Sequence, residues 1–155
     1  MSGARGSRGR FLPAAALLVA LAGVAGASGG CQSFAKLAAD DPTVCAEEVQ
    51  AAGEARHEPA LLPHIRHILW NNADYRNEVV VAAMFAVAHR GDRSSVAAIA
   101  RLARTSDDEE IRWHAALALK QLGGARADRA RAQLAREDAS GLVRGAARWG
   151  VRPAR

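Results

Sequence analysis

Cysteine is scarce in this chain: two among 155 residues, Cys31 and Cys45. That excludes a disulfide-stapled mini-fold and a cysteine-rich zinc module. Aromatics are equally thin at 5%, with a single tyrosine, so there is no thick aromatic core. Val, Ile and Thr are too few beside them for an all-β fold. Lysine is nearly missing, and 19 of the 21 basic residues are Arg. No H-E-x-x-H occurs, nor a glycine loop ahead of a lysine that would cradle phosphate. What the chain has instead is alanine, 37 residues of it, the composition of helices that meet through small contacts. The length allows one domain with a tail.

The first thirty residues read as an address. Met1 to Arg10 carries Arg5, Arg8 and Arg10 and no acid, and Phe11 to Val24 is almost wholly apolar. A positive start, an apolar run of about 14 residues and a small-residue exit make the secretory pattern. The run is short for a bilayer span, which needs roughly 20 apolar residues. Residues 1–30 are therefore expected to be a signal peptide, followed by a tether over 31–40 and a folded domain over 41–155. Two cleavage readings stay open. Ala25 and Ala27 fit signal peptidase I, with the cut before Ser28. Ser28-Gly29-Gly30-Cys31 resembles a bacterial lipobox, in which small side chains fit the peptidase and the thiol takes the lipid. Ser28 departs from the usual aliphatic. The lipoprotein resemblance is favoured. It implies acylation of Cys31, a membrane anchor there and, with Gln32 next, sorting to the outer membrane. Cys45 is read as a small hydrophobe packed beside Val49 and Ala52.

The remainder repeats. Val79, Ile111 and Val143 start similar segments 32 residues apart. In that register Ala83, Ala115 and Ala147 coincide, as do Ala86, Ala118 and Gly150, then Val87, Leu119 and Val151. Apolar residues at i, i+4, i+7 and i+8 mark one face of a helix. Gly91 and Gly123 coincide where such a helix should stop. Between these helices lie second ones, with stripes at Leu61, Ile65, Ile68 and Leu69, at Val96, Ile99, Ala100 and Ala103, and at Ala127, Ala130 and Leu134. Pro42 to Arg56 reads as a degenerate first helix, with Asp41 as N-cap and Pro42 at its first position. Ser106 and Glu109 form a capping box before Ile111.

These residues carry a resemblance. Ile111, Arg112, Ala115, Ala118, Leu119, Leu122 and Gly123 are similar to the second helix of a HEAT repeat, in the short bacterial form of the phycobilin-lyase HEAT-like modules. Val79 to Gly91 fits with Val80 in place of Arg, and Val143 to Ala147 begins the pattern. The resemblance spans roughly Asp41 to Val151. It implies an all-α fold, a short α-solenoid of about three antiparallel helix pairs, each burying its face only against its neighbours.

Candidate chemistry is sparse. His64 and His67 lie three apart on one helix, and His57 with Glu58 precedes it. Such a group could hold a metal if a carboxylate joined. The plainer reading places both helical histidines beside the apolar stripe, on the polar face. No cofactor is expected. Trp149 shares its register with Phe85 and Leu117 and is expected in the core. Trp113 aligns with Val81 and Gly145 and is a candidate recognition residue. Charge is uneven: Cys31 to Glu110 carries −5 and Ile111 onward +7. Arg112, Arg144 and Arg148 at the basic end are further candidates for partner contact. The expected function is a non-catalytic, envelope-anchored adaptor or scaffold facing the periplasm, with an unknown protein partner and no nucleic acid. The alternatives are a metal-dependent or enzymatic role through His57, Glu58, His64 and His67, or attachment of the Arg-rich end to an anionic membrane.

Overall fold

The structure, a computed structural model, describes residues Phe34 to Trp149. Cys31 and residues 1–30, expected to be a signal peptide, lie outside the described residues. The chain forms α1 (Ala35–Ala38), α2 (Ala46–Glu54), α3 (Leu62–Trp70), α4 (Asn77–His89), α5 (Val96–Thr105), α6 (Glu109–Leu122), α7 (Ala125–Glu137) and α8 (Gly141–Arg148). There is no strand among the described residues.

The repeat period sets the helix positions. α4, α6 and α8 begin at Asn77, Glu109 and Gly141, 32 residues apart each time. Residues 79, 111 and 143 are all buried, and Ala83, Ala115 and Ala147 are wholly so. Each even-numbered helix packs on the next, α2 on α4 on α6 on α8. The odd-numbered helices form a second layer, α1 against α3 against α5 against α7. Consecutive helices α3 and α4, α5 and α6, and α7 and α8 join the layers. This is an all-α solenoid of two layers. The one core runs between them through Ile65, Leu69, Val79, Met84, Val87, Ile99, Leu102 and Leu119.

Small residues let the helices approach. A methyl built on Gly53 of α2 would lie 2.7 Å from Ala86 Cβ of α4, closer than carbon atoms can pack. Gly91 and Gly123 follow α4 and α6 with φ of 69° and 61°, a left-handed geometry that side chains resist.

The expected boundaries move in four places. Residues 35–38, expected within the tether, instead form α1, and Leu37 is buried. The buried Glu48 of α2 accepts the Leu37 amide at 3.1 Å. With α1 counted, the described residues make four helix pairs, the first abbreviated. Secondly, α2 starts at Ala46 behind Cys45, and Asp41 instead accepts the Thr43 amide within a turn. That turn brings Val44 into the core. Cys45 is half-buried at the helix entrance. Thirdly, Asp108 rather than Ser106 caps α6, accepting the Glu110 and Ile111 amides. A carboxylate answers the positive helix end better than a hydroxyl. Ser106 Oγ accepts the Asp108 amide instead. Lastly, Trp149 is 69% exposed. α8 ends at Arg148, so the helical register that would have turned Trp149 inward has stopped one residue short.

Candidate functional site

Arginine is spent first on holding the fold. The last carbonyls of a helix lack partners within it, and guanidinium groups meet several of them. Arg90 donates to the carbonyl of Ala52 in α2, and Arg101 to those of Leu69 and Trp70 in α3. Arg148 donates to Ala135 in α7, and Arg56 to His89 in α4. Arg131 does the same for α8 from inside the core, donating to Ala147 at 3.0 Å and Trp149 at 2.6 Å. Its side chain is buried. Burial pushes its pKa down, with Asp128 opposing. Its Nε has no partner.

Arg112 and Arg144, both candidates for partner contact, occupy equivalent positions. Each donates to the two carbonyls five and six residues before it: Asp107 and Ser106 for Arg112, Ala139 and Asp138 for Arg144. Arg112 also grips the buried Asp138 carboxylate at 3.0 and 3.4 Å. That hydrogen bond raises the Arg112 pKa against the pull of burial. These guanidiniums clamp the turn between the layers, so they are occupied inside the chain. Asp92, in the turn between α4 and α5, is gripped in the same way by Arg66 of α3. Burial alone would push its carboxyl up. Hydrogen bonds from Arg66, Ser94 and Ser95 outweigh this and hold it far below the ordinary carboxylate range.

The candidate metal ligands are kept apart. His64 Nδ1 meets Asp40 at 3.0 Å, His67 sits against Asn71 and edge-on to Tyr75, and His57 lies 3.5 Å from Glu58. Among the described residues no group of three or more His, Cys, Asp or Glu could hold a metal.

What the fold does assemble is an open apolar row on the outer side of the even-numbered layer. Val81 and Phe85 of α4 line a hollow of about 460 Å³ against α2, edged by Glu54 and Glu78. Trp113 and Leu117 of α6 line a second, of about 470 Å³, with Leu142, Gly145 and Trp149 of α8. His114 joins the two, edge-on to Phe85 and to Trp113. Trp113 is half-buried here, packed on the core by one side. Leu142 is 68% exposed, and the Lys120 ammonium stands 3.7 Å over the Trp149 ring. The 32-residue register contained this row as residues 85, 117 and 149. Phe85 and Leu117 are half-buried and Trp149 is exposed, where no further helix covers α8 among the described residues. Leu142 and Phe85 were not legible as surface residues, since a helix period marks an apolar face but not whether a neighbour covers it.

Charge separates by layer. The odd-numbered helices carry eight bases and two acids, and the even-numbered helices four bases and six acids. One layer is thus +6 and the other −2.

No helix among the described residues is long and apolar enough to cross a membrane. No curated protein and no solved structure matches the chain significantly. Residues 73–152, just over half of the chain, match the family described as HEAT repeats. With two helix layers, a 32-residue period and glycine stops after α4 and α6, the chain belongs to the HEAT-repeat family.

Proposed function

We propose that this protein is a non-catalytic adaptor that binds another protein through the outer side of its even-numbered helices. The observation that carries this reading is the open apolar row from Phe85 through Trp113 and Leu117 to Leu142 and Trp149. HEAT repeats are commonly protein-interaction modules, which fits a scaffold. Contiguous exposed apolar surface is uncommon on a monomer without such a role, and tryptophan is enriched where partner contacts are strongest. We place the adaptor in the bacterial envelope, exported by residues 1–30 and anchored by acyl chains on Cys31, facing the periplasm from the outer membrane.

Two experiments separate these parts. A photo-crosslinking residue at position 142 or 149 in the native envelope should capture a protein, and one at Arg136 should not. Equal capture at all three sites rejects the proposed face. Labelling with a palmitate analogue should mark the chain and fail for Cys31→Ala. Failure in both forms rejects the lipid anchor and leaves the binding face untouched.

A further inference from the structure

Arg56, Arg66, Arg76, Arg90, Arg101, Arg112, Arg131, Arg144 and Arg148 all donate within the chain. The side chains of Arg93, Arg104, Arg126, Arg129 and Arg136 make no hydrogen bond or ion pair to another described residue. All of these but Arg93 lie on α5 and α7, in the +6 layer. Residues 126, 129, 133 and 136 follow the spacing of one helix face. Arg104, Arg126 and Arg129 line one open hollow of about 440 Å³, floored by Ala97, Ala100 and Ala130. Asp128 lies between Arg126 and Arg129 on α7 and pairs inward with Arg131 at 3.6 Å; Asp107 and Glu137 line the adjoining hollow with Arg104, and Gln133 holds Glu137 at 2.8 Å.

We infer that the outer side of the odd-numbered layer docks on an anionic bilayer, its arginines facing lipid phosphates. This goes beyond the reading above, which concerns the opposite layer, and rests on that reading for the membrane and the anchor at Cys31. Three observations choose a bilayer over a discrete phosphate or an acidic protein. The arginines are spread over two helices, and no buried donor closes the hollow around a single ion. The whole layer shares the sign, and guanidinium pairs well with phosphate. The described chain also begins in this layer, at Phe34 and α1, three residues after Cys31. Three residues reach about 10 Å at most, so an anchor at Cys31 would hold this layer beside the membrane. Exposed Trp70, under Arg101 in the same layer, is the residue type that settles among headgroups. In this pose the apolar row faces away from the membrane, free for its partner.

The full chain is reconstituted into vesicles containing brominated lipid, with or without about 30% phosphatidylglycerol, and tryptophan quenching is read. In Trp113→Phe/Trp149→Phe protein, where Trp70 alone reports, quenching should appear on anionic vesicles only and vanish at about 0.5 M salt. In Trp70→Phe protein, emission from Trp113 and Trp149 should stay unquenched on both. Arg104→Gln/Arg126→Gln/Arg129→Gln should abolish the Trp70 signal while keeping the thermal midpoint, because these side chains hold nothing in the fold. The three lysine replacements should keep the signal. Each Arg near an anionic surface is worth roughly a fivefold change in attachment (about 1 kcal/mol), so the triple variant should lose about 100-fold. Trp70 quenching equal on both vesicle types, or indifferent to the triple variant, overturns the inference. So does quenching of Trp113 and Trp149 in place of Trp70, or preference for soluble polyglutamate or free inorganic phosphate over the vesicles.

Discussion

Arg131 is a charged side chain that the fold turns away from solvent. It sits between Ala127 and Leu134 on the inward face of α7, where the 32-residue register places Ile99 in α5. There it ties down the end of α8. Arg131→Ala should cost about 2–4 kcal/mol by denaturant unfolding, since it empties volume and strands two carbonyls. Asp92 makes the complementary case. Its folded carboxyl titrates below the ordinary value near 4. Its contribution to stability is therefore complete above about pH 4 and is lost as pH falls through the folded pKa. Asp92→Asn should flatten the acid limb of stability against pH and leave the slope near neutrality unchanged. A limb as steep as in the parent would disprove the assignment.

At the scale of helices, the glycines separate contact from propensity. Gly53→Ala should destabilise by about 1–3 kcal/mol, because α2 and α4 must part to admit the methyl. Gly145→Ala on α8 meets nothing within 4 Å and should stabilise by about 0.5–1 kcal/mol through helix propensity. Thermal midpoints moving in opposite directions would establish both. Arg112 joins α6 to the turn before α8, and Lys cannot reproduce its forked grip. Arg112→Lys should thus unfold nearly as readily as Arg112→Ala, each losing about 3 kcal/mol from a buried pair.

For the whole molecule, the two layers divide the surface into two chemistries. The linear gradient from −5 to +7 suggested a solenoid polarised end to end. Folding interleaves the segments, so bases collect on the odd-numbered helices and acids on the even-numbered ones. Mutations on the two layers should then separate. Leu142→Ser and Trp149→Ser should abolish capture of the partner while membrane orientation persists, and arginine changes on α5 and α7 should do the reverse. Joint loss of both properties from a single-layer variant that still folds would refute the division.

The layered helical fold was legible because each repeat packs only on its neighbours. Such contacts are written locally, in Val79, Ala83 and Val87 and their counterparts 32 residues on. The glycine stops at 91 and 123 were legible for the same reason. The site was less so. Arg112 and Arg144 stood out as exposed charge, yet their guanidiniums close on the preceding turn, a contact that no periodicity encodes. Trp149 had the register of a core residue and lost it because α8 ended. Sequence alone determined the helices, their period and their inward faces, since these follow from side-chain spacing on one helix. Only the tertiary structure decided which arginines remain free, which apolar residues stay uncovered and on which layer each lies. Those depend on where a neighbouring helix ends and what its last carbonyls require.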